Sequence, residues 1–157
     1  MANLTEVELV TPERVLFSGE AEAVVLRADG SDTTFLANHM DYIGTVDICV
    51  VRLDGVSTSS GRAESGEAEK RGEPAPLAEV RAAVHGGFVK VADNKVTIVA
   101  GVAELAEEID VDRAQRALVA AEGRINEGDV AEAEPAAERA RVRIEAAVKL
   151  KADLSRM

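Results

Sequence analysis

The feature that most constrains this chain is a change of hydrophobic period close to Gly101. Before it, Val96, Ile98 and Ala100 alternate with other residues, which is the period of two expected of a half-buried strand. After it, the composition turns to Ala, Glu and Arg, and apolar residues recur every three or four positions. The chain is therefore predicted to be α+β, with a sheet that ends near Gly101 and helices that follow it.

The first hundred residues read as short strands separated by turn signals. Strands are predicted over residues 4–10, 15–17, 21–26, 33–37, 45–53 and 77–84, and a hairpin turns at Asp93-Asn94, since both residue types tolerate positive φ. Ser18-Gly19 is read as a break between strands. Gly86-Gly87 is predicted to open the next strand, with a bulge or a close backbone approach. This spacing indicates an antiparallel β-sandwich.

The segment over residues 54–76 differs in composition from its neighbours. It contains no Leu, Ile or aromatic residue and is dense in Gly, Ser, Glu and Pro. Such a segment buries too little apolar surface to offset the entropy of ordering it, so we predict a disordered insertion between two strands. It is either a surface insertion without a role or a loop that binds a partner.

Two helices joined by a short turn are predicted to complete the chain. Asp110 is the expected N-cap of the first, which ends near Arg124, and Gly128 lies in the turn. The second begins between 131 and 135, because Pro135 suits only a first turn, and ends near residue 154. The expected apolar stripes are Val111, Ala114, Leu118, Ala121 and Ile125 on the first helix, and Ala137, Ala140, Ile144 and Val148 on the second. The predicted domains are an N-terminal β-sandwich over 1–103 and a C-terminal antiparallel helical hairpin over 104–157.

Composition argues against several classes of function. The net charge of −11 disfavours binding to nucleic acid or to anionic membrane surfaces. No apolar run approaches the ~20 residues that span a bilayer, so no direct insertion is expected. Cys49, the one cysteine, reads as a small buried residue in a reducing compartment. His39 and His85 lack the spacing of metal ligands, and no catalytic constellation is found, so neither a metal site nor an enzyme is expected.

Arg139 and Arg143 lie four residues apart and therefore share one face of the second helix. Such a pair can hold one phosphate group, with Arg113 approaching only if the hairpin folds back on the sandwich. From residue types alone the alternative is an ordinary charged helix surface. Both readings stay open at this stage.

Two stretches of the chain resemble a known family. The run AVHGGFVKVADNKVTIVA with the following AELAEEIDVDRA, and the earlier VELVTPERVLFSGEAEAVVLRADG, resemble the ε subunit of F-type ATP synthase, which is the δ subunit in mitochondria. The resemblance implies a non-catalytic rotor subunit of the central stalk in a proton-translocating complex. Its expected location is peripheral, on the cytoplasmic face of the cell membrane. The implied partners are the γ subunit, the c-subunit ring and the catalytic α and β subunits.

The same resemblance implies that the hairpin regulates ATP hydrolysis by moving between a compact and an extended state. It implies no required cofactor but regulatory ATP, bound by Glu104, Ile109, Asp110, Arg113, Ala114, Arg139 and Arg143. ATP-binding members carry a further Arg where this chain has Ala120, and Arg116 or Arg124 is a candidate substitute. In the extended state, basic residues would contact the β subunit, namely Arg139, Arg141, Arg143, Lys149 and Lys151.

The loop LANHMDYIG over residues 36–44 is the expected contact with the c-ring. The resemblance assigns that contact to Phe35, His39, Met40 and Ile43, although Ala37-Asn38 replaces the family's usual Pro-Gly. Asn still allows a left-handed turn, and an ordinary turn without a partner is the alternative. A rival to the whole interpretation is a free-standing sandwich-and-hairpin adaptor that binds a protein or a nucleotide.

Overall fold

A computed structural model describes residues 3–57 and 78–154 of the chain, with side chains to residue 149. The strands are β1 (Thr5–Val10), β2 (Val15–Ala21), β3 (Ala23–Ala28), β4 (Ser31–Leu36), β5 (Tyr42–Val56), β6 (Ala78–Ala92), β7 (Lys95–Ala100) and β8 (Ala103–Leu105). A short 3₁₀-helix (Ala106–Glu108) leads to helices α1 (Val111–Asn126) and α2 (Val130–Leu154). The α+β class with two terminal helices is confirmed.

The strands pair in the order β2-β1-β7-β6-β5-β3-β4, and β8 adds to β6. The pairs that the described strands form are antiparallel except β1 with β7, which run parallel. Buried residues from each of these strands, including Leu9, Phe35, Leu53 and Ile98, meet in one aliphatic core. The sheet therefore folds over on itself as the predicted β-sandwich. Cys49 is a buried free thiol in this core, and burial raises its pKa.

Three predicted strand breaks were wrong because a glycine at each of them lies inside a continuous strand. β2 runs through Ser18-Gly19, and β6 runs through Gly86-Gly87. Gly87 marks a close backbone approach, as predicted, since a Cβ there would lie 2.1 Å from the carbonyl oxygen of Val99. β5 extends through Asp54 to Val56, so those residues are not part of an insertion. Most of the predicted insertion, residues 58–76, lies outside the described residues.

The turns and caps follow the sequence closely. Asp93 and Asn94 both have positive φ in the β6–β7 turn, with values of 51° and 57°. Asp110 caps α1 by accepting a hydrogen bond from the Arg113 amide at 3.1 Å. Gly128 has φ 98° in the turn between the helices. These local predictions succeed because each depends on a single residue type in a single backbone conformation.

Helix α2 begins earlier than predicted and buries two stripes of residues. Pro135 is its sixth residue, and the exposed position of this end allows water to satisfy the carbonyl that loses its partner. One stripe contains Ala133, Ala137 and Ala140, and α2 packs along α1. The other contains Val142 and Ala146, which meet Ala83 of β6, Ala106, Ile48, Val50 and Ile109. Val148 is 50% exposed, so its assignment to the buried stripe was wrong.

The helical hairpin is therefore docked on the sandwich. α2 lies against β5, β6 and the 3₁₀-helix. β8, which sequence reasoning missed, spans the predicted domain boundary between residues 103 and 104 and pairs with β6. Its three residues, Ala103, Glu104 and Leu105, are too few to show a period of two. The link between the domains is thus held by the sheet itself.

Candidate functional site

A cleft of about 200 Å³ lies where the sandwich, the 3₁₀-helix and the hairpin meet. Its lining combines charged groups and alanines: Glu104, Glu108, Asp110, Arg113, Ala114, Ala117 and Arg143. Five of these belong to the set predicted to bind ATP. The cleft is smaller than the roughly 300–1,000 Å³ of small-molecule sites. A nucleotide would therefore fit only in part, with the remainder in solvent.

Arg143 and Glu104 join the two sides of this cleft. Nε of Arg143 on α2 donates a hydrogen bond to Oε2 of Glu104 on β8 at 3.1 Å. Their side chains are 27% and 35% exposed, so the pair is partly shielded from solvent. A guanidinium and a carboxylate at the mouth of a cleft can receive an anionic group and an amino group, respectively.

The predicted residues of the first helix take three different roles. Arg113 presents its side chain to the cleft, while its amide is capped by Asp110. Ala114 is buried at the cleft wall. Ile109, which precedes the N-cap of α1, packs instead against the small apolar cluster beneath α2. The structure thus brings Asp110, Arg113 and Ala114 of the motif together at one cleft and places Ile109 elsewhere.

Arg139 stands apart from the other predicted residues. Among the described residues, the lining of the cleft includes Arg143 but not Arg139. Arg139 is half-buried on α2 and acts electrostatically on His85 of β6, as does Arg143. Burial, with smaller contributions from both arginines, lowers the pKa of His85 to about 4, and Glu104 opposes the shift. Sequence reasoning considered His85 only as a metal ligand, for which it lacks the spacing; its neighbours in the fold come from elements that are distant in sequence.

The proposed substitutes for the missing arginine are placed differently. Ala120 is exposed and follows Arg113 by seven residues, so the two share one side of α1. Arg116 lines a separate shallow depression on α1 with Ala120. Arg124 is bound to Asp129, with Nε donating to Oδ2 at 3.0 Å, and so closes the turn between the helices. Arg124 is therefore occupied in the docked hairpin.

A second ion pair, which sequence reasoning missed, ties the base of the hairpin to the sandwich. Arg14, in the β1–β2 turn, donates two hydrogen bonds to the carboxylate of Glu108, and Nη1 reaches Oε1 at 2.9 Å. These bonds lower the pKa of Glu108. The two residues are 94 positions apart, so no local pattern connects them.

The loop over residues 36–44 forms one end of the sandwich. Met40 and Ile43 are 78% and 76% exposed, as a contact surface requires. Phe35 is fully buried, so its assignment to a partner contact was wrong: the aromatic ring belongs to the core. His39 lies edge-on against Phe35, with ring centroids 5.0 Å apart.

Asn38 holds this loop in its shape. Asn38 has φ 59°, which is the left-handed conformation that the sequence predicted for it. Its amide donates to Oδ1 of Asn94 at 2.8 Å, and Nδ2 of Asn94 donates to the carbonyl of Leu4 at 3.0 Å. The β6–β7 turn therefore fixes both the loop and the start of β1.

Two basic residues of α2, Arg141 and Lys149, are paired within the hairpin. Arg141 contacts Glu122 of α1 at 3.4 Å, and Nζ of Lys149 donates to Glu145 at 2.7 Å. The side chain of Lys151 lies outside the described residues. In the part of the chain that the structure covers, no helix has the length and apolarity to cross a membrane.

The fold and the cleft define a class of protein, a β-sandwich that carries a docked helical hairpin. The profile of the ATP synthase Delta/Epsilon chain, beta-sandwich domain, matches residues 4–65. The ATP synthase epsilon chain of Desulfitobacterium hafniense is 39% identical over 150 residues, covering 94% of this chain and 98% of that protein. That of Streptomyces coelicolor is 40% identical over 147 residues with the same coverage.

Among solved structures, a chain of the Euglena gracilis mitochondrial ATP synthase, in its OSCP/F1/c-ring part, has the same fold. It matches with a TM-score of 0.59 at 19% identity, covering 98% of this chain and 82% of that one. The extent and identity of the two bacterial matches decide the relationship. The chain belongs to the ATP synthase epsilon chain family.

Proposed function

We propose that this chain is a rotor subunit of a proton-translocating ATP synthase, peripheral to the cytoplasmic face of the membrane, where its hairpin restrains ATP hydrolysis. The sandwich would bind the γ subunit and the c-ring and transmit rotation without chemistry of its own. The exposed Met40 and Ile43, held by the Asn38–Asn94 hydrogen bond, suit a contact with the ring. Family membership over nearly the whole chain supports this role more than that of a free-standing adaptor.

The proposed regulation depends on the way the hairpin is docked. The apolar contact that α2 contributes to the sheet is small, consisting mainly of Val142 and Ala146. Among the described residues, two partly exposed ion pairs, Arg143–Glu104 and Arg14–Glu108, add polar contacts between the domains. Such pairs contribute little to stability because solvent screens them, so docking is weak enough to be reversible. This marginal docking is the single observation that carries the proposal.

Release of the hairpin would expose charges that the docked state pairs. Arg143 would lose Glu104 when α2 leaves the sheet, while Arg139 would leave the vicinity of His85. Arg141 and Lys149 could give up their exposed ion pairs with Glu122 and Glu145 at little cost in free energy. The extended α2 could then present these cations to an acidic segment of the catalytic β subunit. ATP would favour the docked state only through tighter binding to it.

Deletion after Glu108 tests the regulatory role. The truncated chain keeps β8 and the 3₁₀-helix, and the sandwich core contains no residue of α1 or α2, so it is expected to fold. Assembled with the other subunits, it should still co-purify with α, β and γ but should no longer inhibit ATP hydrolysis. Unchanged inhibition would show that the hairpin does not inhibit hydrolysis. Failure to co-purify would contradict the role as a stalk subunit.

Isothermal titration with ATP, with and without Mg²⁺, tests the nucleotide site. We expect saturable binding to the intact chain, weakened in Arg143→Ala, which removes a cleft residue. Arg141→Ala is the matched control, since Arg141 faces Glu122 of α1 rather than the cleft. Arg139→Ala decides whether Arg139 joins the site when ATP is bound. Absence of binding at millimolar ATP would leave a hairpin that responds only to its protein partners.

A further inference from the structure

His85 lies on the sheet face that α2 covers. It pairs across the β5–β6 ladder with Ile48, and two residues along the same face Val50 pairs with Ala83, which packs under α2. Its backbone amide donates to the carbonyl of Val102 at 3.0 Å. The imidazole is therefore fixed on a paired strand, and its surroundings depend on whether the hairpin is docked.

One ring nitrogen of His85 lacks a hydrogen-bond partner in this position. Its Nε2 is buried and has no hydrogen-bond partner within the part of the chain that the structure describes. The charged groups that face it are Glu104 from β8 and Arg139 and Arg143 from α2, while β5 contributes the uncharged Ile48. Glu104 is itself bound by Arg143, so it is already engaged with a cation.

We propose that His85 makes docking of the hairpin sensitive to pH, because protonation of its imidazole sets a third positive charge beside Arg139 and Arg143 and favours release of α2. The inference rests on the proposed two-state hairpin and adds a stimulus for it. An imidazolium needs hydrogen-bond acceptors at both nitrogens and a nearby anion or water. Among the described residues the docked state offers Nε2 no acceptor, and the nearby carboxylate of Glu104 is already held by Arg143, whereas the undocked state would expose Nε2 to solvent.

The sign of the effect follows from proton binding. In the docked state the pKa of His85 is about 4, whereas a solvated imidazole has 6.5. Above pH 6.5 both states hold His85 neutral, and docking is at full strength. As the pH falls below 6.5 the undocked state takes up a proton that the docked state does not, so docking weakens. Between pH 7.5 and 5.5 the ratio of undocked to docked chains should rise about tenfold.

Distance measurements between two spin labels test the inference in the full chain. The labels are placed at the exposed Thr34 of β4 and Glu134 of α2, as Thr34→Cys and Glu134→Cys, with Cys49→Ala to remove the native thiol. The ratio of undocked to docked chains should grow about tenfold over this pH interval. In His85→Gln, which cannot be protonated, it should stay constant.

A control variant and an NMR titration distinguish a role of His85 from other effects of pH on the hairpin. His39→Gln removes the other histidine and should retain the full pH dependence, because His39 lies in the loop beside Phe35 rather than under α2. An NMR titration of the His85 ring in the unlabelled chain should give a pKa well below 6.5. An undocked population that responds to pH equally in His85→Gln would overturn the role of His85 and leave the two-state hairpin intact. No undocked population at any pH would overturn both.

If His85→Gln fails to fold, His85→Ser is the substitute, since it also abolishes the titration and fills less space. A normal His85 pKa in the NMR titration would by itself overturn the proposal, whatever the labels report. A low pKa together with loss of the pH response in either variant supports it.

Discussion

Arg143 of α2 and Glu104 of β8 are 39 residues apart in sequence, yet they form a hydrogen bond of 3.1 Å across the hinge between the two domains. Glu104 is positioned by its strand pairing with Ala83, and Arg143 by the seating of Val142 and Ala146 on the sheet. The pair therefore reports directly on whether the hairpin is docked.

Removal of this pair should shift the hairpin towards the undocked state. In Arg143→Gln and in Glu104→Gln we expect docking to weaken by about 1 kcal/mol or less, because both side chains are partly exposed. The double variant should lose less than the sum of the two, since each single change already breaks the bond. Label distances measured as for His85 would show the shift. Strictly additive losses would mean that the two residues act independently.

Gly87 should be intolerant of any side chain. A Cβ on Gly87 would lie 2.1 Å from the Val99 carbonyl oxygen, and strand β7 cannot move away without losing its pairing to β6. Gly87→Ala should therefore lower the free energy of unfolding by about 3 kcal/mol. Gly101→Ala is the matched control, because nothing lies within 4 Å of the added methyl group. Urea denaturation measures both, and equal midpoints would contradict the close approach.

Asn94 combines a left-handed backbone with two side-chain hydrogen bonds. Asn94→Gly keeps the backbone conformation but removes the bonds to Asn38 and Leu4, at a cost of about 1–2 kcal/mol. Asn94→Ala loses those bonds and also strains the backbone, so it should cost about 1 kcal/mol more than the glycine variant. Thermal unfolding would give both differences. An alanine variant as stable as the glycine variant would show that the turn relaxes.

The parts of the fold that the sequence predicted are those with local causes. Asp110 as a cap, Asp93-Asn94 as a turn and Asn38 as a left-handed residue each depend on the residue's own chemistry. The strand breaks at Ser18-Gly19 and Gly86-Gly87 were wrong, because neighbouring strands override the local preference of glycine.

The sequence predicted the local motif of the site, but not the distant residues that surround this motif in the fold. Asp110, Arg113 and Ala114 are adjacent in sequence and reach the cleft together. Arg14 acts on the same region through its hydrogen bonds to Glu108, and His85 through its electrostatic interaction with Arg143; only the folded sheet brings them there. Phe35 was misassigned because an aromatic residue beside an exposed loop has the same sequence signal whether it points inward or outward.

The Arg14–Glu108 pair predicts a change in acid titration. Hydrogen bonds from Arg14 lower the pKa of Glu108, so the carboxylate contributes stability above its ordinary pKa of 4.5 and loses that contribution as the pH falls through the lowered value. In Arg14→Gln the pKa of Glu108 should rise towards 4.5. NMR titration of the Glu108 carboxyl carbon measures this shift. Lys95→Gln is the control, since Lys95 contacts Glu6 and Glu8 instead, and an unchanged pKa in Arg14→Gln would refute the pairing.

Ala120 gives the sharpest test of the nucleotide cleft. By helical spacing Arg113, Ala117 and Ala120 share one side of α1, and Arg113 and Ala117 line the cleft. An arginine at position 120 would therefore extend the positive charge of the cleft along the helix. Ala120→Arg should tighten ATP binding by about tenfold, the effect of one charge-assisted hydrogen bond.

The control for Ala120→Arg adds the same charge at another angle on the same helix. Gln115 and Ala120 both line the shallow depression outside the cleft. Two residues after Arg113, Gln115 points to the opposite side of α1, whereas position 120, seven residues after Arg113, points to the same side. Gln115→Arg therefore raises the net charge equally without reaching the cleft. Calorimetric titration with ATP should show tighter binding in Ala120→Arg alone. Equal gains in both variants would mean that ATP responds to overall charge, because a site built by the cleft must distinguish the two positions.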